Sequence, residues 1–159
     1  MKKLMLGVAL WSVVAWGLST PSYAQESGAV DIEAAEMEIL ETDKLAIFRG
    51  DVVAKRPSDT IRADEMIVSY IDVKQPDGTT KTEVDVLDCK GNVTITTATQ
   101  TITGSVAKFF VRKDELVVTG DVKVVQGTTV LRGPRLTVDL KSKRTKMTGG
   151  RVKGKFVPK

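Results

Sequence analysis

The sequence predicts an all-β protein: a two-layered or rolled antiparallel sheet assembled from two-strand repeats of about 29 residues. Three observations predict it. A glycine-centred strand recurs as F-R-G-D-V-V-A-K at 48–55, C-K-G-N-V-T-I-T at 89–96 and V-T-G-D-V-K-V-V at 118–125, with a weaker copy, M-T-G-G-R-V-K-G, from 147. Apolar residues alternate with period two inside each copy, which is the strand signal. No stretch after the first 24 residues carries a helical pattern.

The N-terminus reads as a secretory signal peptide over 1–24. Lys2 and Lys3 precede the apolar run Leu4 to Leu18, and Ser22-Tyr23-Ala24 offers small residues at −3 and −1 for cleavage after Ala24. The apolar run is about 15 residues, short of the ~20 that a spanning helix needs. Export follows, and residues 25–159 suit one domain with its own core.

Within that domain each element is placed by the repeat. The segment I-E-A-A-E-M-E-I at 32–39 matches I-R-A-D-E-M-I-V at 61–68, so it is expected to be a strand despite its alanines and glutamates. The glycines Gly50, Gly91, Gly120 and Gly149 are spaced by 41, 29 and 29 residues. A second landmark falls 13 residues after each of the first three, at Ala63, Gly104 and Gly133, with Ala34 the same point one repeat earlier. Each unit is expected to supply two strands joined near that landmark. The first unit is longer by 12 residues, placed within 71–86, where Pro76-Asp77-Gly78 signals a turn; an enlarged hairpin loop is expected there. The last 19 residues hold eight Lys/Arg and no acid, a basic edge or tail.

Side chains two apart on a strand share a face. Columns counted from each glycine collect Phe48, Cys89 and Val118; Val52, Val93 and Val122; Ala54, Ile95 and Val124; and Ile61, Ile102 and Leu131. Later columns collect Met66, Ala107 and Leu136; Val68, Phe109 and Val138; and Tyr70, Val111 and Leu140. Together they predict one continuous apolar interior, with polar residues such as Thr94 and Lys123 outside. The glycines fall in the inward column, where a missing side chain lets the strand bend or bulge.

Charge and chemistry narrow the function. Residues 25–90 carry 16 acids and 8 bases, and residues 91–159 carry 4 and 14, so the chain is a strong charge dipole. There is no histidine for a metal or a catalytic base, and no phosphate-cradling or nucleophile motif; no metal, no cofactor and no enzyme activity are expected. The pairs Asp64-Glu65 and Asp114-Glu115 point to opposite faces of a strand and do not converge on a substrate. Cys89 is the only cysteine, so no intramolecular disulfide forms, and its column makes it a small core hydrophobe. What is left is an apolar interior in an exported β-protein.

The pattern F-x-G-D-V at 48–52, T-G-D-V at 119–122, the β-unit and the export signal resemble the LptA/OstA-like periplasmic proteins of lipopolysaccharide transport, over about Asp31 to Val157. The resemblance implies an open antiparallel β-jellyroll and a periplasmic location. It implies binding of lipopolysaccharide through its lipid A acyl chains, and stacking with like-folded inner-membrane and outer-membrane transport proteins or head to tail with itself; no nucleic acid partner is implied. Carried onto this chain, the lipid-facing residues are Phe48, Val52, Val93, Ile95, Phe109, Val118, Val122, Val124, Leu136 and Val138. The docking edges are represented by Asp31, Ile32, Ala34 and Met37 at one end and Arg151, Val152, Phe156 and Val157 at the other. Two alternatives stay open: an LptC-like partner of the same fold anchored through residues 4–18, and a periplasmic scaffold that grips polyanions with its basic half.

Overall fold

The computed structural model describes residues 30–158, so the expected signal peptide lies outside the described residues. Ten strands follow in order: β1 (Asp31–Glu33), β2 (Glu36–Leu40), β3 (Leu45–Lys55), β4 (Asp59–Lys74), β5 (Thr80–Thr97), β6 (Thr101–Phe110), β7 (Glu115–Gln126), β8 (Thr129–Asp139), β9 (Arg144–Thr148) and β10 (Lys153–Lys155). All pairings are antiparallel, in one sheet of order β1-β3-β4-β5-β6-β7-β8-β10, with β2 also on β3 and β9 also on β8. The edges are therefore two broken strands, β1/β2 and β9/β10. The expected strand at 32–39 is there, interrupted at Ala34-Ala35. A three-residue 3-10 turn, Val111–Lys113, joins β6 to β7.

The repeated glycine makes a corner. In β3, Gly50 and Asp51 stand against Asp64 alone in β4; in β5, Gly91 and Asn92 stand against Ser105 in β6; in β7, Gly120 and Asp121 stand against Pro134 in β8. Both residues of each pair take positive φ, as in 84° for Gly120 and 48° for Asp121, a region that glycine, asparagine and aspartate tolerate best. These bulges line up across the sheet and bend the six long strands, β3 to β8, at one seam. Inward residues continue four apart across the bulged strand, from Val118 to Val122, but step by three on its neighbour, from Ala107 back to Gly104.

Three expectations are corrected by this geometry. Gly50 and Gly120 are exposed at the corner, not inward. The second landmark is not a strand junction: Ala63, Gly104 and Gly133 sit inside strands, paired with Val52, Val93 and Val122. The junctions are tight turns seven residues earlier or fewer, at 56–59, 97–100 and 126–129. The enlarged hairpin loop expected within 71–86 is also not a loop but paired strand. It prolongs β4 and β5 into a hairpin, paired from Tyr70–Val84 to Lys74–Thr80, with the turn at Pro76-Asp77-Gly78 as expected.

Bent at the seam, the two halves of the sheet face each other across one hydrophobic cluster. Among the described residues no polar or charged residue is fully buried. The last inward column ends early: Tyr70 is half-buried, Val111 lies in the 3-10 turn and Leu140 is exposed.

Candidate functional site

The interior is built from both sides of the seam. Val52, Val93, Ile95, Val122 and Val124 lie on one side, and Phe48, Phe109, Val118, Leu136 and Val138 on the other. All ten are buried, and Val52, Val118, Val122 and Leu136 are fully so. Met66, Val68, Leu87 and Leu116 share the same cluster and extend the list that the sequence singled out.

The side opposite the seam is a slit. One lip comes from the turns joining β3–β4 and β5–β6 and carries Arg56, Asp59, Thr97 and Gln100; the other carries Phe109, Leu116, Val138 and Leu140 from strand ends. Between the lips Ile61, Ile95 and Ile102 line a cleft of about 50 Å³. A pocket for a drug-sized ligand is roughly 300–1,000 Å³, so the layers are nearly closed upon each other. The slit residues Arg56 and Asp59 were not legible as a site. Their signal was only an Arg and an Asp three apart around Pro57, an ordinary turn composition.

Cys89 sits in the interior at 2% exposure. Burial, and secondarily the charge of Asp88, push its thiol up to about 12, so the nucleophilic thiolate is scarce at neutral pH.

Of the edge residues, Asp31 and Ile32 lie in β1, Met37 in β2 and Ala34 in the break between them, while Arg151, Val152, Phe156 and Val157 flank β10. Asp31, Ala34, Met37, Arg151, Val152, Phe156 and Val157 are exposed and Ile32 is half-buried. Large exposed hydrophobics concentrate here: Met37 and Ile39 on one edge, Val152, Phe156 and Val157 on the other, with Leu140 the exception. The acidic edge is partly neutralised from within. Arg49 reaches Glu38 at 3.2 Å, Glu36 at 3.9 Å and Glu65 at 3.1 Å, and Lys55 reaches Glu33 at 3.1 Å. These carboxylate hydrogen bonds raise the Arg49 pKa further above its ordinary value, Glu38 contributing most. On the basic side, Lys123, Arg132 and Lys153 are direct cross-strand neighbours on β7, β8 and β10. Like charges placed opposite one another are unfavourable. They flank two shallow grooves of about 460 and 360 Å³ beside Asp121, Arg151 and Lys155.

Residues 31–144 match a family model described as LptA/(LptD N-terminal domain) LPS transport protein. No curated protein matches the chain. Among solved structures the chain is similar to LptH, described as the LptA homologous periplasmic component of the conserved lipopolysaccharide transport device from Pseudomonas aeruginosa. The TM-score is 0.67 at 16% identity, covering 82% of this chain and 96% of that one. At that identity the likeness is one of fold, and it makes the bent sheet an open β-jellyroll.

Proposed function

Because this chain belongs to the LptA/(LptD N-terminal domain) family of lipopolysaccharide transport proteins, which are not enzymes, we propose that it holds the acyl chains of lipopolysaccharide between the two layers of its roll. The observation that carries this reading is the continuous apolar interior, which reaches the surface along an apolar-lined slit. With only about 50 Å³ open in the cleft, loading requires the layers to part. The protein then works in the periplasm, after removal of residues 1–24, and relays lipid without chemistry.

Bridging to neighbours follows from the edges. An unpaired edge strand is a template for another strand, and here both edges also expose Met37, Ile39, Phe156 and Val157. Like-folded inner- and outer-membrane components, or a second copy of this chain, would add to them. The membrane-anchored alternative turns on residues 4–18, outside the described residues. One observation favours a second reading: the row Lys123, Arg132, Lys153, in no ion pair among the described residues, suits a polyanion on the outer face.

Photo-crosslinkers at Val93, Phe109 and Val122 test the reading, with Lys123 as the outward comparison. Interior positions should capture lipopolysaccharide and Lys123 much less. Capture at Lys123 alone would favour the polyanion reading, and equal capture on both faces would sink interior carriage.

A further inference from the structure

Arg56 and Asp59 are the charged side chains that line the apolar cleft. They bracket the turn between β3 and β4. The main-chain N–H of Arg56 donates to the carbonyl of Asp59 at 2.9 Å. The guanidinium donates twice to the carboxylate, Nε to Oδ1 at 2.8 Å and Nη2 to Oδ2 at 2.5 Å. The side chains are only 17% and 12% exposed. Among the described residues every other cation in an ion pair is at least 40% exposed, so this pair is set apart. The guanidinium also lies over the ring of Phe109, 4.5 Å from its centroid. Phe109 belongs to the other lip, so Arg56 spans the slit.

Stability is a poor reason for this arrangement. Withdrawing an ion pair from water costs about as much as the attraction returns, and an apolar pair would close an apolar slit as well. What a guanidinium adds is a planar fork that accepts carboxylate or phosphate oxygens in the same bidentate way. Asp59 is therefore replaceable by an incoming anion. The turn that holds it is short, and the ladder resumes at once with Lys55 paired to Thr60, so the turn can move without unpairing β3 and β4.

We propose that the slit is a lateral port and that Arg56–Asp59 is its latch. The ligand is an amphiphile with an apolar chain and a phosphate or carboxylate head. Its head takes the place of Asp59 on Arg56, the guanidinium leaves Phe109, and the chain passes between the lips, along Phe109, Leu116 and Val138, to Ile61, Ile95 and Ile102. A neutral head gains nothing from the guanidinium and enters only when the ion pair opens by itself, so it binds more weakly. The inference rests on interior acyl carriage and adds to it a site, a head-group preference and a route.

Titration of the full-length protein with tetradecyl phosphate and tetradecyl maltoside, each kept monomeric, tests it; the two share a chain and differ in head charge. Wild type should bind the phosphate about tenfold more tightly, the scale of one charge-assisted hydrogen bond. Arg56→Gln should remove that preference by weakening phosphate binding, while maltoside binding stays the same or tightens because the latch is gone. Asp59→Asn, which frees the guanidinium, should strengthen phosphate binding, and it is an independent arm if Arg56→Gln fails to fold. Inorganic phosphate should not compete. Equal binding of both heads by wild type, indifference to Arg56→Gln, no gain from Asp59→Asn, or tight binding of inorganic phosphate would each overturn the latch. Binding of neither amphiphile would overturn interior carriage as well, so the two failures are distinguishable.

Discussion

The hydroxyl of Ser105 donates a 3.2 Å hydrogen bond to the carbonyl of Gly120 across the corner. The two residues are so close that a Cβ on Gly120 would stand 2.5 Å from the Cβ of Ser105. Gly120 also holds φ at 84°. Gly120→Ala should therefore cost about 2–4 kcal/mol, combining left-handed strain with overpacking. Gly78 makes the comparison: its φ is 86°, but a Cβ added there would meet nothing within 4 Å, so Gly78→Ala should cost only about 1 kcal/mol. Urea denaturation of both variants checks the difference; equal stabilities would mean that the corner needs no close approach.

Cys89 behaves as a core residue, since burial keeps its thiol protonated. Cys89→Val should fold and transport, with a stability change under about 1.5 kcal/mol, because one small hydrophobe replaces another. A maleimide should label the native protein only at the rate of unfolding. Rapid labelling, or lost transport with an intact fold, would contradict this.

Head-to-tail association should depend on the C-terminal edge. Removing residues 151–159 takes away β10 with Phe156 and Val157, and should abolish self-stacking while the monomer stays folded. Backbone pairing supplies most of the affinity and charge supplies on-rate. Raising salt from about 0.05 M to 0.5 M should slow association by screening. Because Arg49 and Lys55 already hold Glu33, Glu36 and Glu38, the slowing should be several-fold, not orders of magnitude. Light scattering of both proteins at both salts decides it. A strictly monomeric full-length protein, or a symmetric dimer indifferent to the truncation, would refute the stack.

Stability should be flat from about pH 5.5 to 8, since the chain has no histidine to titrate there. Below about pH 4 it should fall. Hydrogen bonds from Lys44 and then Thr82 lower the Asp72 pKa, and those from Thr79 and Ser142 lower the Asp77 and Asp139 pKa values. A carboxylate with a lowered folded pKa stabilises fully above its unfolded value, about 3.9, and loses that contribution as pH falls through the folded value. Asp72→Asn should remove part of the acid slope. A melting temperature that slopes steeply between pH 6 and 8 would contradict the assignment.

The sequence disclosed the interior better than the corner. Val52, Val93 and Val122 could be placed inside because a two-residue bulge preserves the parity of a pleated strand. That same parity hid the bulge, and made Gly50 and Gly120 look inward. Its trace was the three-residue step from Ala63 to Met66 on the neighbouring strand, which the period-two reading passed over. The hairpin at 71–86 reads as a loop in the sequence, and the pairing of its arms escaped because backbone bonds, not a buried face, make them strands: Asp72, Lys74 and Lys81 are exposed. The slit needed the third dimension, since Arg56 meets Phe109 only once the sheet has bent back on itself.

The seam also sets a ruler. The six long strands, β3 to β8, all cross it, so the molecule lengthens only by adding whole hairpins side by side, each worth two strand spacings or about 9.6 Å. Eight strand positions lie along the sheet, which gives one copy a reach on the order of 35 Å. Distance is thus measured in whole units: a wider gap demands another hairpin in the gene or another copy in the line, and nothing in between.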